Sequence, residues 1–130
     1  MSVRVSERNN GKLMVLDKMS KLAVYTIHTL KKEKIIPKGY RWLISEKIAN
    51  ECLEAQCCMK RANSIYPKTA SKELLNYRIM QQNEAYAHLE ALLMLIDNAY
   101  NLFEIEDRII HFWVGLVVET ENLLKGWIKG

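Results

Sequence analysis

The sequence predicts an all-α protein, an up-down-up-down antiparallel four-helix bundle. Apolar residues recur at spacings of three and four along most of the chain, the signature of amphipathic helices. Five glycines and two prolines in 130 residues are too few for a strand-and-turn architecture. The apolar share of 49% and charged share of 26% fit a globular domain and exclude a disordered chain.

Residues 1–11 are polar, end in Asn9-Asn10-Gly11, and read as a flexible arm; residues 12–130 make one bundle domain. From Leu13 a first helix places Leu16, Ala23, Ile27 and Leu30 on one stripe. Lys31, Lys32 and Lys34 suit its C-terminus, and Pro37 and Gly39 stop it. The second helix has the clearest period, with Ile44, Ile48, Cys52, Ala55, Met59, Ala62 and Tyr66 spaced 4, 4, 3, 4, 3, 4. Tyr66-Pro67 ends it, because a residue before proline is pushed out of the helical region. Thr69 or Ser71 caps a third helix whose inner stripe is Ala85, Leu89, Leu92, Ile96, Ala99 and Phe103. A fourth starts near Glu106 or Asp107, with Ile109, Phe112, Leu116, Leu123 and Trp127 as its stripe. No Pro or Gly separates helices three and four, so one helix of about sixty residues is the rival; the usual globular helix of roughly three turns disfavours it.

Catalytic and metal motifs are missing. Cys52, Cys57 and Cys58 lack paired zinc spacings and read as small buried apolar groups. His28, His88 and His111 have no carboxylate three residues before them, as di-iron bundles require. Glu84 and His88, four apart, suit a solvated pair. There is no dinucleotide fingerprint, phosphate loop or nucleophile elbow. The expectation is no enzyme activity, no cofactor and no metal. An odd cysteine count without a signal-peptide pattern points to reduced thiols in the cytoplasm. No apolar run is long enough for a membrane helix, since residues 91–103 are cut by Asp97 and Asn98.

Helices three and four carry second apolar faces: Tyr86, Leu93 and Tyr100 on one, Ile110, Trp113, Val117 and Leu124 on the other. One bundle needs one stripe per helix, so these seven residues are expected at a homo-oligomer interface. Charge is uneven as well. Residues 1–72 hold 15 of the 19 Lys/Arg and 6 of the 15 Asp/Glu, nine positive charges in excess; residues 73–130 are five negative. Bundle topology gathers Arg8, Lys12, Lys60, Arg61, Lys68, Lys72, Lys125 and Lys129 at one pole. The other pole mixes Lys31, Lys32, Lys34, Lys38 and Arg41 with Glu104, Glu106 and Asp107. A concentrated basic surface suits a polyanion, and without a base-reading motif the partner is an RNA or DNA backbone. Lysines placed for solubility and helix ends are the alternative.

Blocks along nearly the whole chain resemble one family. They are Met1-Ser2-Val3 with Ser6 and Arg8, then Leu13, Val15-Leu16, and Leu22-Ala23-Val24-Tyr25-Thr26-Ile27. Lys34-Ile35-Ile36-Pro37-Lys38, Tyr40-Arg41-Trp42 and Ala62-Asn63-Ser64-Ile65-Tyr66 follow, and the blocks end with Trp113, Gly115-Leu116-Val117-Val118-Glu119, Leu123-Leu124-Lys125 and Trp127-Ile128. In these the chain is similar to four-helix-bundle proteins encoded in 23S ribosomal RNA intervening sequences. It is more similar to accessory variability proteins of bacterial diversity-generating retroelements. The resemblance implies a ring-shaped homopentamer that binds nucleic acid and the element's reverse transcriptase and supports mutagenic cDNA synthesis. Arginines typical of the middle of that family's third helix have no counterpart in residues 89–94. A retained basic surface therefore lies on helix two and the pole named above. A purely structural interaction module is the competing expectation.

Overall fold

The second apolar stripe of the last helix decides how the four helices pack. In the structure, a computed structural model, the backbone is described for residues 10–130 and side chains for residues 14–130. The helices are α1 (Asn10–Leu30), α2 (Glu46–Asn63), α3 (Lys72–Phe103) and α4 (Asp107–Lys129). A 3-10 turn (Lys38–Tyr40) and a π-helical turn (Arg41–Ser45) lead into α2. No strand occurs among the described residues, and no described helix is long and apolar enough to cross a membrane. Helix α1 begins at Asn10, so two residues expected in the arm belong to it; residues 1–9 lie outside the described residues.

Helix α1 packs on α2 and α4, and α3 packs on the same two helices, so α1 and α3 are diagonal. Cross-helix bonds rise along one helix as they descend the other, the mark of antiparallel neighbours. Trp113 meets Thr26 and Glu119 meets Lys18 across α1 and α4; Arg61 meets Gln81 and Glu51 meets His88 across α2 and α3.

The rotation of α4 differs from expectation. Its buried residues are Ile110, Trp113, Leu116, Val117, Thr120, Glu121, Leu124 and Trp127. Ile110, Trp113, Val117 and Leu124, expected at an interface between copies, lie instead in the subunit's own core. Phe112, expected inside, is exposed. Both stripes of α4 are apolar, so spacing alone does not choose between them. Hydrogen bonding does. The buried indole of Trp113 donates from Nε1 to Thr26 Oγ1 at 2.9 Å, satisfying a donor that would otherwise be costly to bury.

The same bond shifts the inner face of α1. Val15, Met19, Leu22, Ala23, Thr26 and Thr29 are buried, while Leu16, Ile27 and Leu30 are half-buried. Two threonines on the inner face hide this register from a stripe drawn through apolar residues only. Helix α2 follows expectation over its middle, burying Ile48, Cys52, Ala55, Cys58, Met59 and Ala62. It ends at Asn63, however, so Tyr66, expected on the stripe, is exposed in the turn, and Ile44 is half-buried in the π turn before the helix. Helix α3 buries Ala85, Leu89, Leu92, Ile96 and Ala99 as expected. Ser71 caps α3, its hydroxyl accepting from the Leu74 N–H. The α3–α4 break falls at Glu104, in the left-handed region at φ 53°, whose N–H bonds the Tyr100 carbonyl. A non-glycine residue adopts that conformation at a cost of roughly 1–2 kcal/mol, and no glycine marks the turn.

Thr26→Val should leave the Trp113 indole N–H unpaired and lower stability by about 1–3 kcal/mol. Adding Trp113→Phe should cost less in the Thr26→Val background than in the wild type. Urea unfolding of the two single variants and the double variant tests the coupling; strictly additive losses would refute it.

Candidate functional site

Antiparallel order brings the start of α1, the α2–α3 turn and the end of α4 to one pole. Lys60, Lys68, Lys72, Lys125 and Lys129 are exposed there. Arg8 lies outside the described residues, and Lys12 falls in α1 where side chains are not described.

Arg61 is not a free cation of this surface. Its Nε donates to Gln81 Oε1 at 2.9 Å, and its Nη2 donates to Glu54 Oε1 at 2.9 Å and to Cys58 Sγ at 3.3 Å. The guanidinium is a strap across the α2–α3 seam. Lys125 is partly engaged too, with Nζ 5.3 Å from the centroid of the Tyr86 ring. The Tyr86 hydroxyl, then the carboxylates of Glu121 and Glu90, favour its charged form against desolvation. Arg78, not anticipated at this end, lies 5.4 Å over the Trp127 ring, and its Nε has no partner among the described residues. A cation six residues inside a helix start gives no sequence signal that it will turn toward the neighbouring helix.

The α2–α3 seam collects the chain's chemically versatile groups. His88 Nδ1 pairs with Glu51 Oε1 at 2.7 Å across the helices, rather than with Glu84 on its own helix. Donor atoms of Glu54, Cys58 and His88 lie within 4.8 Å of one another, a ligand set suited by type to a metal ion. Arg61 already bonds two of the three, so a protein cation supplies the positive charge there. Burial pushes the Cys58 thiol up, with Arg61 opposing. Burial likewise raises Cys52 to about 11. Neither is a ready nucleophile at neutral pH. Cys57, expected inside, is exposed.

The remaining residues expected at a self-interface are half-buried on α3. Tyr86 is paired with Lys125, and the Tyr100 hydroxyl donates to Asp107 across the α3–α4 turn. Leu93 is the member of this set without such a tie. Exposed apolar side chains lie elsewhere, on each of the four helices and in the turns that flank α2. Val24 on α1 is 55% exposed and Phe112 on α4 is 56% exposed, with Leu53 of α2 also exposed. Ile79, Met80, Met94 and Leu102 are exposed on α3.

Between α3 and α4, Glu121 is buried with Oε2 unpartnered among the described residues. Burial first, and then the neighbouring Glu90 carboxyl, push its pKa from the ordinary 4.5 to about 8, with Lys125 pulling the other way.

The chain matches no known protein family, and no curated protein or solved structure is significantly similar to it.

Because the folded-state pKa of Glu121 lies above the unfolded one, the folded protein holds the extra proton between 4.5 and about 8. Its contribution to stability is complete below that window and is lost as pH rises through it. Glu121→Gln should flatten this part of the pH dependence and raise stability near the alkaline end by roughly 1–3 kcal/mol. Urea unfolding of both proteins across the window checks it; identical pH slopes would place the proton elsewhere.

Proposed function

We propose that this protein is a non-enzymatic accessory subunit of a diversity-generating retroelement. In this reading it acts in the cytoplasm as a homopentameric ring that binds the element's reverse transcriptase and template RNA and supports mutagenic cDNA synthesis. The observation that carries the reading is the set of exposed lysines, Lys60, Lys68, Lys72 and Lys129, at one end of a four-helix bundle. The block resemblance supplies the assignment to a retroelement. The transcriptase performs the chemistry. The bundle contributes position and charge, holding phosphates and releasing their counterions without reading bases.

The apolar surfaces support a ring. A cyclic assembly beyond a dimer needs two different, complementary patches on each subunit. Val24, Leu53 and Phe112 surround α1, whereas Met80, Met94 and Leu102 belong to α3, its diagonal neighbour. Patches on different sides of one bundle suit a head-to-tail contact, which forms a ring where the rotation between neighbours closes. The same patches favour the second reading, a structural interaction module without a nucleic-acid role.

Charge reversal at Lys60, Lys68 and Lys72 should weaken RNA binding and flatten its salt dependence, by about 0.7–0.9 in log–log slope per lost phosphate contact. Reversal of Arg61 should instead cost stability, since it is held in the α2–α3 seam. Gel shifts at several salt concentrations test this, and an unchanged slope would leave the structural module standing.

Light scattering should give five copies. Met94→Glu, on an exposed position, should dissociate the ring with helical content retained, whereas Val117→Glu, at 0% exposure, should unfold the subunit. A monomer throughout the micromolar range would remove the ring.

A further inference from the structure

Residues 37–43, between α1 and α2, are exposed without interruption, although much of the segment is helical. A helix packed on a core buries a residue every third or fourth position. This segment instead passes from a 3-10 turn into a π turn and presents consecutive side chains outward. Trp42 is 75% exposed, higher than any other large apolar side chain among the described residues, with Leu43 at 66% and Tyr40 at 45%. The segment is anchored on both sides. Ile35 and Ile36 are buried before it, and Ser45 and Ile48 after it. The Tyr40 ring is braced edge-on against Phe103 of α3, centroids 4.9 Å apart.

The sequence around these rings is cationic. Lys38 and Arg41 lie within the segment, and Lys31, Lys32 and Lys34 lead into it, against Glu33 alone. On the α3–α4 turn beside Phe103, Glu106 is paired with Arg108 and Asp107 accepts from Tyr100, leaving Glu104 as the acidic group without a bond to another side chain. Glu46 and Lys47 at the start of α2 offset each other.

We propose that the Tyr40–Trp42 turn is a stacking platform for single-stranded nucleic acid, with bases on the aromatic faces and phosphates on Lys38 and Arg41. Every base has a face that stacks on an exposed ring, and flanking cations track the backbone. Duplex hides those faces, so the turn selects the unpaired form. A purely apolar protein knob has no use for the excess of cations carried by residues 31–41. The proposal rests on the nucleic-acid-binding reading and adds a second contact at the opposite pole from Lys68 and Lys72.

The full chain can be titrated with a single-stranded RNA of about a dozen nucleotides, within the span of known single-strand sites, and with the matching duplex. Trp113 and Trp127 are buried, so quenching of exposed tryptophan emission reports Trp42. Single strands should quench it and duplex should not. Trp42→Ala should weaken single-strand binding by about tenfold, leave duplex affinity unchanged and preserve helical content, and Trp42→Phe should restore most of the loss. Reversal at Lys60, Lys68 and Lys72 should weaken both forms. Unchanged single-strand affinity in Trp42→Ala, with the lysine reversals still effective, would overturn the platform and leave the proposed function intact. Absence of binding by the wild type at low salt would overturn both. Loss of oligomer in Trp42→Ala would overturn the platform by making the turn a self-interface.

Discussion

The hydrogen bond from Trp113 to Thr26 sets the geometry on which the rest of the bundle depends. A fully buried indole N–H needs an acceptor, and α1 supplies it with a threonine on its inner face. With Trp113 facing inward, helical spacing turns Ile110, Val117, Thr120 and Leu124 inward as well. Phe112 is then driven to the surface, where it rests edge-on against Tyr25 at 4.8 Å. Tyr25 also meets Trp113 at 6.3 Å, so one aromatic group spans the α1–α4 seam from core to solvent. On the other side of Thr26 lies Cys52 of α2, whose thiol is influenced by the threonine hydroxyl. Three helices therefore converge on a single small polar side chain.

That rotation has a cost elsewhere on α4. Thr120 and Glu121 come inside with the apolar residues. Thr120 resolves its burial locally, donating to the Leu116 carbonyl at 2.7 Å. Glu121 has no such solution and retains a proton beside Glu90. A buried carboxylic acid costs far less than a buried carboxylate, so the group neutralises rather than disrupts the helix. Several polar groups on α2 and α3 are handled differently, by pairing, although Gln82 Nε2 and Asn63 Oδ1 are buried without a partner among the described residues. Arg61 ties Glu54 and Gln81 together and Glu51 takes His88, so polar side-chain bonds cross the α2–α3 seam at two levels. The α1–α4 seam carries the Trp113 indole bond and the Lys18–Glu119 ion pair.

The inner faces of the two middle helices were legible in the sequence. Helices α2 and α3 pack along Cys52, Ala55 and Met59, and along Leu89, Leu92 and Ile96, as their spacing indicates. The Ser71 cap and the acidic break after Phe103 were legible too, even without a glycine at Glu104. Helix α4 was not, because two adjacent apolar stripes satisfy the same period and only the partner of one N–H separates them. Helix α1 failed for the complementary reason: its inner face contains Thr26 and Thr29, which a hydrophobic stripe passes over. Charge at the poles could be counted from sequence, but whether a cation is free could not. Lys68 and Arg61 look alike in a charge tally, and only packing shows that one faces water while the other is triply bonded.

Several exposed apolar side chains lie on the helix flanks, away from the lysines of the α2–α3 turn, an arrangement the proposed ring can use. Val24, Phe112 and Met94 lie on the flanks of long helices, while Lys68, Lys72 and the Tyr40–Trp42 turn occupy the two ends. With helix axes roughly parallel to the axis of the proposed ring, flanks meet flanks and both ends remain on open rims. Apolar association is then insulated from the salt-sensitive contacts, since burying methionine and phenylalanine does not depend on ionic strength as phosphate contacts do. The two rims are also chemically unlike. One carries exposed lysines, and the other holds Tyr40, braced on Phe103, and the exposed Trp42 of the proposed stacking platform. In the proposed ring, the lysine rim would hold a structured template by its backbone and the aromatic rim an unpaired stretch of it.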